Sequence, residues 1–193
     1  MLVPADSPIK NLKDYIDAAK KSPGSITLSG SGTNSANHLA QQQFDKMAGI
    51  KTTYVPFNGT GPSNTALLGK QVSGSWGYTT VQMQLGNQVR CIAVSMEQRH
   101  KKLPDCPTFK ESGFDLVGGA YRGVAVPKST PPEIQKQLAD ILAKVNRDPE
   151  FVQKMEENGF ALLNVGPAEM PKFMSDIKAR YEALAAEMGI KKK

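Results

Sequence analysis

Apolar positions along the chain recur at spacings of three and four, interrupted by short apolar runs bounded by glycine and proline. This alternation predicts an α/β fold. Leu12, Tyr15, Ile16 and Ala19 form the stripe of a first helix. Asn11 is placed to cap it with Asp14 three residues on, and Pro23-Gly24 stops it. Ser25–Ser29 reads as a buried strand, and a loop of small residues follows it. A second helix carries Ala36, Leu39, Ala40, Phe44, Met47 and Ala48 on one face and ends at Gly49. A strand around Thr52–Val55 comes next, then a turn at Asn58-Gly59 and a short helix opening near Pro62. Strands near Gln71–Trp76 and Val89–Ser95 flank a weakly patterned helix.

The second half restarts with a strand at Tyr121–Val126. Thr130-Pro131-Pro132-Glu133 has the form of a helix start, with proline in the first turn and Glu at the capping-box position. The stripe Ile134, Leu138, Ile141, Leu142 and Val145 follows. Asp148-Pro149 opens another helix that ends at Gly159, Phe160–Leu163 reads as a short strand, and a last helix presents Phe173, Ile177, Tyr181, Leu184 and Met188.

Hydrophobic residues make up 39% and charged residues 22% of the 193, the balance of an ordinary globular chain. The net charge of +6 favours anionic partners in general. The lysines are dispersed, except for Lys191, Lys192 and Lys193, and are not interleaved with aromatics, so no nucleic-acid partner is expected. No apolar run approaches the ~18 residues of a membrane span, and no direct membrane insertion is expected. Met1–Ser7 lacks the charged-then-apolar order of an export signal. Cys91, Cys106, His38 and His100 show no zinc spacing, so neither metal nor cofactor is expected. Cys91 falls in an apolar strand and Cys106 in a loop between prolines, and the two are expected to remain unbridged.

The stretch with most chemical content is Ser29-Gly30-Ser31-Gly32-Thr33-Asn34-Ser35-Ala36-Asn37-His38-Leu39. A strand, a loop of glycines and hydroxyls and a helix N-terminus offer an anion free N–H groups and a favourable dipole. The same residues also describe a plain turn in which Thr33 or Asn34 caps the helix. Pro56-Phe57-Asn58-Gly59-Thr60-Gly61-Pro62-Ser63 repeats the form. Two such junctions after neighbouring strands would open on one crevice at the strands' carboxyl ends. His38 has no nucleophile at a fixed spacing, which favours a hydrogen-bonded or ligand-contacting histidine over a catalytic one. Trp76 and Tyr78 follow a strand and suit either a pocket wall or the core. Arg122 within an apolar strand needs a partner, either a salt bridge or a ligand carboxylate.

Read in order, these landmarks resemble the periplasmic substrate-binding proteins of tripartite tricarboxylate transporters, the Bug proteins. The residues that carry the resemblance are Asn11–Tyr15, Ser29–Leu39, Val55–Pro62, Leu103–Phe109, Gly118–Pro132 and Ala183–Ile190. It runs from about Val3 to Ile190. It implies a type II periplasmic-binding-protein-like fold of two α/β lobes, with residues 1–118 as the second ligand-binding lobe and 119–193 as the C-terminal part of the first. The first lobe is incomplete in this chain: the family's export signal and its early Pro- and Gly-rich loop do not appear. The resemblance further implies a periplasmic protein without cofactor or catalysis. It would capture a small carboxylate-bearing organic anion and deliver it to membrane permease subunits.

On this reading the carboxylate meets Ser31, Gly32, Thr33, Asn34 and Ser35, with Asn58, Gly59, Thr60 and Gly61 on the other side. His38, Tyr78 and Arg122 add side-chain contacts. Gly77-Tyr78 stands where many members have an Asp, and Tyr121 where a Trp is common. The competing readings are an effector-sensing domain of a transcription regulator and a small hydrolase using His38 with Ser31 or Ser35.

Overall fold

The computed structural model describes residues 1–189. The chain divides into two compact units at Gly119/Ala120.

The first unit holds a five-stranded sheet in the order β3-β2-β4-β1-β5, with β1 Leu2–Pro4, β2 Thr27–Ser31, β3 Thr53–Phe57, β4 Gly74–Ser75 and β5 Val89–Cys91. β2 pairs in parallel with both β3 and β4, while β1 runs antiparallel between β4 and β5. Helices α1 Leu12–Lys21, α2 Ala36–Ala48, α3 Thr60–Leu68 and α4 Thr79–Leu85 connect the strands. The step from β2 out to β3 and the return across β2 to β4 send α2 and α3 to opposite faces, given right-handed crossovers. The core is split accordingly. One cluster gathers Leu12, Tyr15, Leu28, Phe44, Trp76 and Phe109, and the other Leu2, Ala66, Leu67, Val81 and Val89. Leu2 and Val3, neighbours on one strand, go to different clusters, as the two-residue period of a strand requires.

Local signals set the helix ends. Asn11 Oδ1 accepts from the Asp14 amide at 2.8 Å, and Asp14 Oδ2 accepts from the Lys10 amide at 2.8 Å. Gly49 closes α2 in the left-handed conformation, φ 60°. A buried network then fixes α2 to the start of β3: Asp45 Oδ2 accepts from the Thr52 amide and hydroxyl, each at 2.8 Å, and from Gln41 Nε2 at 2.7 Å. Burial holds the Asp45 carboxyl above its usual range, an effect these three donors partly offset.

Several expectations are corrected. β1 was not anticipated, because three residues carry no readable period. The segments around β4 and β5 form shorter strands than Gln71–Trp76 and Val89–Ser95, and α3 opens at Thr60 rather than near Pro62. Cys91 and Cys106 are bridged, with Cα atoms 5.3 Å apart. After β5 the chain leaves the sheet and returns through a parallel bridge between Val94 and Thr108. That return buries Cys106 and brings it beside Cys91, within bonding reach.

In the second unit, helices α5 Pro132–Val145, α6 Pro149–Glu157 and α7 Met170–Glu187 follow an extended segment. Neither Tyr121–Val126 nor Phe160–Leu163 forms a strand, since neither finds a ladder partner among the described residues. Asp148 caps α6 by accepting from the Phe151 amide at 2.9 Å. Pro131, not Thr130, holds the cap position of α5.

Candidate functional site

The carboxyl ends of β2 and β4 and the amino-terminal turns of α2 and α3 converge on one cleft with about 180 Å³ of empty space. Gly30 and Ser31 come from β2, Asn37 from α2, Thr60, Ser63 and Asn64 from α3, and Trp76, Gly77 and Tyr78 from the segment leaving β4. None of the described residues lining it is charged. What it offers is amide, hydroxyl and backbone groups.

Asn37 organises the floor. Its Oδ1 accepts from Ser31 Oγ at 2.6 Å and from the Tyr78 hydroxyl at 2.9 Å, and its Nδ2 donates to the Trp76 carbonyl. One amide therefore joins β2, α2 and the chain after β4. A second set of hydroxyls ties α3 to the sheet: Ser63 Oγ donates to Ser29 Oγ at 2.8 Å, and Ser75 Oγ donates to the Ser29 carbonyl at 3.2 Å. Only glycine fits at position 30, where a Cβ would lie 2.3 Å from the Tyr54 hydroxyl and 2.9 Å from Asn37 Cβ.

The Ser31–Ser35 loop is built as an anion-binding turn would be, and much of it is already used internally. Gly32 has φ 75° and Asn34 φ 58°, both left-handed. The Gly32 carbonyl accepts from Ser35 Oγ at 3.0 Å and from the Tyr54 hydroxyl at 3.2 Å. Ser35, rather than Thr33 or Asn34, caps α2 by accepting from the His38 amide at 3.4 Å. His38 Nδ1 accepts from the Asn34 amide at 3.1 Å, and the ring stacks on Tyr54 with centroids 4.4 Å apart. Partial burial moves His38 below its usual pKa and Tyr54 above its own, so both rings are neutral here near pH 7. With Nδ1 engaged by a backbone amide, His38 positions the loop rather than activating a hydroxyl.

The structure thus brings Ser31, Thr60 and Tyr78 into the cleft wall, and sets Gly32 and Ser35 in the adjoining loop and His38 in the first turn of α2. Thr33 and Asn34 are exposed on that loop. Gly59 precedes α3 with φ 98°, while Asn58 and Gly61 are exposed beside it. Arg122 belongs to the other unit, where it is exposed with its guanidinium over the Phe160 ring, 5.1 Å from the centroid. A cation–π contact stands where either a salt bridge or a ligand carboxylate was expected. Sequence reasoning missed Asn37, Ser63 and Asn64. Single Asn and Ser residues on helices carry no motif, and only their meeting in space marks them.

An open α/β sheet with a polar cleft at the carboxyl ends of its parallel strands, between two helix N-termini, is the architecture of a small-solute binding module. A model for the tripartite tricarboxylate transporter family receptor matches residues 1–190, and the chain belongs to that family, one of transport receptors rather than enzymes. A relative from Cupriavidus necator, the UPF0065 protein of the gbd 5′ region, is 27% identical over 197 residues, covering 100% of this chain and 59% of the relative. The periplasmic binding protein BugD superposes with a TM-score of 0.82 at 28% identity, covering 100% of this chain and 66% of that structure. The R. palustris protein Rpa4515, solved with adipate, superposes with a TM-score of 0.81 at 25% identity, over 98% of this chain and 64% of that one. The chain therefore spans about three-fifths of the length of the Cupriavidus relative. No described helix is long and apolar enough to cross a membrane.

Proposed function

We propose that this chain forms part of a periplasmic receptor that captures a small organic carboxylate and delivers it to membrane permease subunits. The observation that carries the proposal is the convergence of the α2 and α3 N-termini on an uncharged polar cleft. The first turn of each helix has N–H groups without intrahelical acceptors, and the helix dipole favours an anion there. A carboxylate is held in such a place by charge-assisted hydrogen bonds with no buried countercharge. Family membership and the adipate in a related structure support the same ligand class. We assign Met1–Gly119 to the second lobe of such a receptor and the unit from Ala120 to the C-terminal part of the first.

Thr33 and Thr60 have hydroxyls that no group among the described residues engages, whereas the Ser35 hydroxyl is consumed by the Gly32 carbonyl. Calorimetry with mono-, di- and tricarboxylates should find a ligand. Thr33→Ala and Thr60→Val should each lower its affinity by about 1.5–3 kcal/mol, the worth of a hydrogen bond to a charged group. If both variants bind the best carboxylate as tightly as the parent, the two loops are plain caps and the site lies elsewhere.

A further inference from the structure

We infer that Asn64 reads a hydroxyl on the ligand, so that the cleft selects hydroxylated carboxylates over their deoxy counterparts. This rests on the carboxylate reading above and adds a determinant to it. Asn64 lies on α3 in the cleft wall, 9% exposed, and its Oδ1 is buried without a hydrogen-bond partner. Among its polar neighbours Ser63 is committed to Ser29, and Ser31 and Tyr78 to Asn37, while the Thr60 hydroxyl is reserved for the carboxylate. Two buried polar groups of the cleft are left over, the Asn64 amide oxygen and the Trp76 indole N–H; the first is an acceptor and the second a donor, so it is Asn64 that calls for a donor from the ligand.

A buried amide oxygen without a donor is unfavourable in the free protein, and a ligand that supplies the donor relieves that state. A carboxylate has no proton to donate, so the carboxylate held at the helix N-termini leaves the Asn64 oxygen unanswered. A hydroxyl serves, because it both donates and accepts and so matches the amide in either orientation. A methylene in the same place leaves the group buried and unpaired. Sites built this way reject the analogue lacking the hydroxyl far more strongly than an apolar pocket rejects an extra methylene.

The test is calorimetry on the 193-residue chain with L-malate and succinate, which differ by one hydroxyl, and with their neutral diamides, malamide and succinamide. The parent is expected to bind malate at least tenfold more tightly than succinate. Asn64→Leu, close in size and without polar atoms, should bring the pair within threefold. Circular dichroism of the variant shows whether it is folded, and Asn64→Ser, which keeps a smaller donor and acceptor, should retain part of the preference. Equal binding of malate and succinate by the parent overturns the assignment while carboxylate capture stands, as does a preference that survives Asn64→Leu. An Asn64-dependent preference for malamide, with neither acid bound, supports Asn64 and overturns the carboxylate reading. Binding of none of the four overturns both.

Discussion

Helix α1 in the first unit and α5 in the second carry apolar stripes of the same kind, and their fates differ. In α1, Leu12, Tyr15 and Ala19 are buried, whereas α5 buries none of its residues. Ile134, Leu138, Ile141, Leu142 and Val145 all remain exposed, Ile141 at 55%. Among the described residues, Leu184 is the one buried apolar side chain past Gly119. The first unit places a sheet between its helices and stacks aromatics against it, with Phe44 at 4.9 Å from Phe109 and 5.0 Å from Phe114, centroid to centroid. The second unit contains no sheet among its described residues. A stripe says which face of a helix avoids water, but the free energy of burial, about 25 cal/mol per Å², is gained only when another layer covers that face.

The contrast can be broken by matched truncations. Phe44→Ala should destabilise the protein by about 3–5 kcal/mol in denaturant unfolding, because it empties the centre of a fully packed cluster. Ile141→Ala should change stability by less than about 1 kcal/mol, in the range of exposed substitutions. Equal losses would show that α5 is covered in solution. Hydrogen exchange sharpens the same point: amides of α5 and α6 should exchange well before those of β2 and α2.

The cystine adds to the first unit alone. Closing a separation of 15 residues is worth about 3 kcal/mol in the chain-entropy account, so a Cys91→Ser, Cys106→Ser double variant should lose about that much. A reductant should have the same effect on the parent and none on the variant. Two reactive thiols in the native, unreduced protein would show that the bridge does not form.

Smaller effects follow from the polar ties. Asp45→Ala leaves the Thr52 amide and hydroxyl buried and unanswered and Gln41 Nε2 with only its bond to Thr52 Oγ1, and should cost about 1–3 kcal/mol. Because burial raises the Asp45 pKa, this carboxyl favours the folded state most below its ordinary value of 3.8, and that contribution falls as pH rises through the raised value. Asp45→Asn should remove that slope from a stability–pH profile, and an unchanged slope would assign it to other groups. His38 works in the opposite direction on the pH axis. As a base lowered by burial, it stabilises above its ordinary value of 6.5, and its contribution is lost as pH falls below that. An NMR titration should place its imidazole below 6.5, and His38→Ala should flatten this part of the profile. A normal or raised value would mean that the ring is not partly buried against Tyr54 as placed here.

What could be read without coordinates was local. The Asn11 and Asp148 caps, the Gly49 stop and the Pro132 start are settled within one helical turn, where a side chain meets backbone three residues away. The Ser31–Ser35 and Asn58–Gly61 junctions were legible for the same reason. The strand read at Tyr121–Val126 failed because an alternating apolar segment becomes a strand only when a neighbour completes its hydrogen bonds. The cystine was misread because proximity depended on the Val94–Thr108 bridge, which joins residues far apart in the chain. Asn37 and Asn64 were invisible, since their significance lies in which four elements surround them.

By itself, then, the amino-acid sequence determined the helices, their ends, the α/β class and the two glycine-rich turns, because capping, periodicity and left-handed backbone are decided among near neighbours. Only the tertiary structure decided the β3-β2-β4-β1-β5 order, the disulfide, the Asn37 floor of the cleft and the uncovered face of α5. Each of these depends on contacts between segments distant in the chain, and such contacts leave no period or spacing in any one of them.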